Sequence, residues 1–173
     1  MPRLVPIRPL RPRRARLCPR VLLALALLAG SAIAAEKGLP VPRFVSLRSD
    51  EVNLRVGPGE QYPIDWVLTK KGLPVEIIEE RDIWRRIRDA QGSEGWVHER
   101  MVSGTRMALV TGGVRVLHAR PDAASPAVAQ AEAGVLARLL ECRGSWCRIE
   151  AQGIKGWVVR DQIWGVLPDE TLP

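Results

Sequence analysis

From residue 44 onward the chain breaks into short runs of apolar, β-branched or aromatic residues divided by Gly, Pro, Asp and Asn, which predicts strands and tight turns. In the first half the pattern predicts strands at Phe44 to Leu47, Val52 to Leu54, Pro74 to Glu79, Trp84 to Arg88 and Glu94 to Val97. Successive side chains of a strand point to opposite faces, so Trp84 and Ile87 fall on different sides, as do Trp96 and Val97. One member of each pair can enter a core while the tryptophan faces a surface groove.

The second half repeats the first. Gly72 and Gly134 are 62 residues apart, as are Trp84 and Trp146, while Trp96 and Trp157 are 61 apart. Upstream, Leu54 to Pro58 corresponds to Leu117 to Pro121, and Pro63 to Pro126. A tandem duplication accounts for all of these. Repeats of this size are near the lower limit for an independent core, which favours small barrels or sandwiches. Ala127 to Leu140 also fits a helix capped by Ser125, because Ala, Leu, Glu and Gln form helices well. Its counterpart, Ile64 to Ile78, contains Pro74 and reads as loop then strand, so the repeat argues against a helix there.

The formal net charge of +7 raises nucleic-acid binding as a question. The excess lies entirely in residues 1–20, which hold seven arginines and no acid; the rest has nineteen basic and nineteen acidic residues. A phosphate-neutralising surface has no support there. The arginine-rich start leads into an uncharged apolar run from Val21 to Ala29 and then Ala32-Ile33-Ala34, the three parts of a secretory signal peptide over residues 1–34. Fifteen uncharged residues from Val21 to Ala35 fall short of the roughly 20 a spanning helix needs. Cleavage before Ala35 is expected, with a periplasmic or secreted destination and no stable membrane anchor.

The run Val52-Asn53-Leu54-Arg55-Val56-Gly57-Pro58-Gly59, with Tyr62-Pro63, Lys71-Gly72, Trp84, Ile87 and Gly95-Trp96-Val97, resembles the bacterial SH3-like domain over residues 44 to 103. The second repeat, about 107 to 166, is similar more weakly, since Leu117-His118-Ala119-Arg120-Pro121 lacks the Asn-x-Arg-x-Gly-Pro signature. The resemblance implies an all-β chain of two tandem SH3-like β-barrels, each five- or six-stranded, that bind cell-wall glycopeptide or peptide and have no catalysis of their own. The expected organisation is a signal peptide (1–34), a linker (35–43), domains at 44–105 and 106–166, and a C-terminal tail (167–173).

Candidate ligand-binding residues are Asn53, Arg55, Tyr62, Trp66, Trp84 and Trp96. Asn53 and Arg55 form either a ligand corner, where a guanidinium pairs with a carboxylate, or a brace for the Gly57-Pro58-Gly59 turn. Trp84 occupies the place of the groove tryptophan of this fold, with Tyr62 and Trp66 on the loop expected to face it; the alternative is that these rings cap a small core. Eukaryotic relatives grip polyproline with a Pro and a Tyr after the closing strand. The corresponding positions here are His98 and Met101, then Val159 and Gln162, which argues against PxxP recognition. The first repeat is expected to hold the ligand.

Cys142 and Cys147 bracket a Gly-Ser turn that can bring them opposite each other on paired strands, so a disulfide is expected, stabilising by about 2 kcal/mol through loop closure. Metal binding would want closer spacing or nearby histidines, and a redox motif two intervening residues. No cofactor or metal is implied. His98 and His118 belong to different repeats and lie in no catalytic motif, so the chain reads as a non-enzyme. Two functions remain: recognition of peptidoglycan or extended peptide in the cell envelope, or an adaptor that docks another envelope protein without glycan affinity.

Overall fold

The computed structural model describes residues 39–172. The expected signal peptide, its cleavage site and residues 35–38 of the linker lie outside the described residues. Two antiparallel seven-stranded sheets follow one another. The first contains β1 (Arg43–Leu47), β2 (Val52–Arg55), β3 (Ile64–Leu68), β4 (Pro74–Arg81), β5 (Trp84–Arg88), β6 (Glu94–His98) and β7 (Val102–Ser103). The second contains β8 (Met107–Val110), β9 (Arg115–His118), β10 (Ala127–Ala131), β11 (Leu136–Arg143), β12 (Trp146–Ala151), β13 (Ile154–Val159) and β14 (Ile163–Trp164). Strand orders are β3-β2-β6-β5-β4-β1-β7 and β10-β9-β13-β12-β11-β8-β14, the same order in both copies. A 3-10 turn links β6 to β7 at Glu99–Met101 and β13 to β14 at Arg160–Gln162. No α-helix occurs among the described residues.

Ala127 to Leu140 is therefore not helical: it forms β10, a turn with Gly134 at φ 85°, and the start of β11. Pairing of β10 with β9 and of β11 with β12 satisfies the backbone and overrides local helix propensity. The segment 64–68 is also a strand, β3, where the sequence reads as loop. An edge strand that is almost wholly exposed has little burial to imprint on its sequence.

Alternation fills the first core with Val45, Leu47, Val52, Leu54, Val75, Ile77, Ile87, Val97 and Val102. The second core keeps the plan with Val110, Leu117, Leu139, Ile149, Val158 and Ile163, but Ala108 and Ala137 replace Val45 and Val75. The lost volume is offset by Cys142 and Cys147, both fully buried, and by Leu172 packed against that core. Close packing also explains the repeated Gly-Trp-Val. A Cβ on Gly95 would stand 2.5 Å from Leu54 Cγ and 2.9 Å from the Arg55 carbonyl; one on Gly156 would stand 2.7 Å from Leu117 Cβ. Only glycine lets β6 and β13 cross so near β2 and β9.

Cys142 and Cys147 are register partners on β11 and β12 and are joined by a disulfide. In the first sheet the same register holds Glu80 opposite Arg85, joined by an ion pair of 2.7 Å. Residues 167–172 are docked on the second sheet. Arg106 makes a bidentate pair with the Glu170 carboxylate, Arg160 donates to the carbonyls of Leu167 (2.6 Å) and Glu170 (2.8 Å), and the Cys142 N–H donates to the Leu172 carbonyl (3.1 Å).

Candidate functional site

β2 sends Val52 and Leu54 into the core and leaves Asn53 and Arg55 on its other side. β5 does the same with Ile87 inward and Trp84 outward. Trp84 is paired in register with His98 at the end of β6, ring centroids 5.6 Å apart. His98 also caps the 3-10 turn, its Nδ1 accepting from the Arg100 N–H at 3.2 Å, which places the ring proton on Nε2. That turn brings Arg100 and Met101 beside the tryptophan. Across from it, Arg55 Nη1 donates to the carbonyls of Glu60 (3.1 Å) and Tyr62 (2.7 Å), folding the 56–62 loop so that Glu60 meets the same space. The result is a groove of about 190 Å³ lined by these residues with Glu51 and Asn53.

Three of the six candidate residues, Asn53, Arg55 and Trp84, thus share one groove; Tyr62, Trp66 and Trp96 do not line it. The Tyr62 ring packs over Gly57, so close that a Cβ there would lie 2.5 Å from it, and serves the turn. Trp66 is register partner of Leu54 whereas Val67 is partner of Asn53, so Trp66 projects from the opposite face of the β2–β3 ribbon and is 61% exposed. Its placement on a groove-facing loop is corrected by the pairing of β3. Trp96 lies on the outer face but is 7% exposed, with the Arg81 guanidinium 5.6 Å from its ring. Trp157 and Arg143 repeat that stack at 5.9 Å, as a conserved piece of architecture between the two copies.

Glu51, Glu60, His98, Arg100 and Met101, outside the six candidates, also line the groove. Strand alternation puts residues 51, 53 and 55 on one face, which is the signal that marks Glu51. Glu60 and Arg100 arrive through a loop and a 3-10 turn, which no strand period reveals.

The second domain has a groove of about 300 Å³ at the equivalent place, lined by Val114, Val116, His118, Trp146, Val159 and Gln162 among others. Val114 and Val116 stand where the first groove has Glu51 and Asn53, and Arg115 also lines the cavity, which persists. The histidine has changed strand: His118 on β9 stands edge-on to Trp146 at 5.5 Å, where the first domain uses His98 on β6. A carbonyl can only accept, so His118 donates from Nδ1 to the Ser125 carbonyl (2.9 Å), the opposite tautomer to His98.

Beside the first groove, the outer face of β4, β5 and β6 carries a charge lattice. Arg88 pairs with Glu94 (2.7 Å) and Glu76 (3.1 Å), and Arg86 with Glu94 (2.8 Å). The hydrogen bond from Arg88, with the charges of Arg88 and Arg86, holds the Glu94 carboxyl below its ordinary range. Among the described residues no three His, Cys, Asp or Glu side chains are grouped as a metal ion would need.

No curated protein matches the chain. Solved structures similar to it include NlpC2 from Trichomonas vaginalis (13% identity, covering 73% of this chain and 49% of that one, TM-score 0.34) and NlpC1 from the same organism (14% identity, 75% and 48%, TM-score 0.34). The chain spans about half the length of each. The family model for the bacterial SH3 domain matches residues 48–104 and again 113–165, taking in β2 to β7 of the first sheet and β9 to β14 of the second. With its duplicated strand order and duplicated groove tryptophan, the chain belongs to the bacterial SH3 domain family and carries two copies of the domain.

Proposed function

We propose that this chain is an exported, non-enzymatic binding protein whose first domain recognises peptidoglycan or an extended peptide in the cell envelope. The observation that carries the reading is the groove in which Trp84 is flanked by Asn53, Arg55, His98 and Arg100. A half-exposed indole offers broad contact area at low entropic cost, and the surrounding donors and acceptors can satisfy a polar backbone or sugar laid across it. Membership of a binding-domain family and the signal-like residues 1–34 support the same reading. The second domain buttresses the first through Trp164, whose ring stands edge-on to Phe44 and whose indole N–H donates to the Pro74 carbonyl.

Sedimentation of the purified protein with cell-wall sacculi tests this. Pelleting that is lost on Trp84→Ala, with the fold intact, is the expected result. Failure of the wild-type protein to pellet at any accessible concentration would overturn the cell-wall reading in favour of an adaptor.

A further inference from the structure

We infer that the groove of the first domain is selective for an amino-acid zwitterion, an ammonium and a carboxylate carried close together on the ligand; this rests on the proposed function only in using the same groove. Glu51, Glu60, Arg55 and Arg100 all line that small space around Trp84, two charges of each sign. On the neighbouring outer face, Glu76, Glu79, Glu94, Arg86 and Arg88 are neutralised by direct ion pairs. In the groove none of the four forms an ion pair among the described residues. Only Arg55 has part of its hydrogen-bonding capacity engaged, at Nη1.

Four charges held in one groove without joining one another leave two acceptors for an ammonium and two guanidinium groups for a carboxylate. The Trp84 face adds a surface over which a cation is attracted. A ligand with one charge would satisfy half of the lining and leave like charges facing it from the other half. Charge-assisted bonds are the strong ones, so the discrimination should be large. The second domain provides the contrast within the same chain. Its groove has Val114, Val116, His118 and Ala123 at the positions of Glu51, Asn53, Arg55 and Glu60 and keeps the tryptophan, so both acids are gone and the one guanidinium lining it, Arg115, turns its Nε to the Thr111 carbonyl. The charges are therefore not required by the groove's architecture.

The test is calorimetric titration of the full-length protein with four N-acetylated, C-amidated peptides that differ in one side chain. That side chain ends in an amino-acid zwitterion, an ammonium alone (lysine), a carboxylate alone (glutamate) or a methyl (norleucine). Free alanine, titrated separately, distinguishes a small-molecule source of the zwitterion from a peptide-borne one. The zwitterionic peptide should bind about tenfold or more tightly than either singly charged one. Glu51→Gln should cancel its advantage over the carboxylate peptide, and Arg100→Gln its advantage over lysine. Affinities equal within about twofold across the four peptides, or a ranking unmoved by both variants, would overturn the inference. Sacculus pelleting without zwitterion preference sinks this inference and leaves the proposed function standing; zwitterion preference without pelleting does the reverse.

Discussion

Trp164 of the second domain stands edge-on to Phe44 of the first, ring centroids 4.9 Å apart and planes at 90°. Its indole N–H donates to the carbonyl of Pro74, a fully buried residue of the first domain, at 3.1 Å. At the equivalent place the first domain has Ser103, whose hydroxyl meets that of Ser46 at 3.3 Å. One position of the repeat thus closes a sheet in one copy and joins two domains in the other.

Trp164→Ala removes the edge-to-face contact and leaves the Pro74 carbonyl without its donor. A cost of about 2–3 kcal/mol is expected, below that of a fully buried tryptophan because Trp164 is only partly buried. Calorimetry should show the wild-type unfolding endotherm splitting as the domains uncouple. A single, unshifted transition in the variant would show that the contact does not couple them.

Replacing both Cys142 and Cys147 with serine should lower stability by about 2 kcal/mol or more, since a short closed loop is released and two polar groups enter a fully buried site. Denaturant midpoints under non-reducing conditions measure it. Thiol titration of the unfolded, unreduced protein should find neither cysteine reactive.

For the ligand, Trp84→Ala should weaken sacculus binding by about 2 kcal/mol or more while Trp146→Ala should not. Near-UV circular dichroism of both variants separates lost contact from lost fold. Equal losses in two folded variants would reassign the ligand to both grooves.

Gly95→Ala and Gly156→Ala should each cost about 1–3 kcal/mol, because the added methyl meets Leu54 and the Arg55 carbonyl, or Leu117 and Val128. Gly104→Ala, where an added Cβ meets nothing within 4 Å, should be close to neutral in the same urea titration. Comparable losses at all three sites would remove the close-approach explanation.

The docked tail should respond to acid. Burial alone would raise the Glu170 carboxyl, but hydrogen bonds from Arg106 and the Leu167 N–H, with the charges of Arg106 and Arg160, hold it below its ordinary value. A lowered folded-state value means the stabilisation is complete above the unfolded pKa, roughly 4.3, and is lost as pH falls through the folded value. Hydrogen exchange at the Cys142 amide should therefore quicken below about pH 4 relative to its intrinsic rate, and Glu170→Gln should abolish that pH dependence. Unchanged protection in acid would show that Leu172 docks without the ion pair.

Periodicity alone determined the elements with a strong two-sided contrast. Val52 and Leu54 against Asn53, and Ile87 against Trp84, declare both the strand and its buried face, and the 62-residue repeat transfers the reading to the second copy. The Cys142–Cys147 pair was legible for the same reason, as two residues flanking a tight turn on paired strands. What the tertiary structure decided lies where local pattern carries no information. β3 is exposed along its length, so only its register with β2 shows that Trp66 turns away from Asn53. Trp96 and Trp84 look alike in sequence, and only the Arg81 guanidinium stacked on one of them distinguishes buried from available. Glu60, Arg100, Trp164 and Glu170 act through partners supplied by loops, a 3-10 turn, the other domain or the docked tail. Strand alternation records which side of a sheet a residue faces, but the neighbour it meets there is set by chain segments distant in sequence.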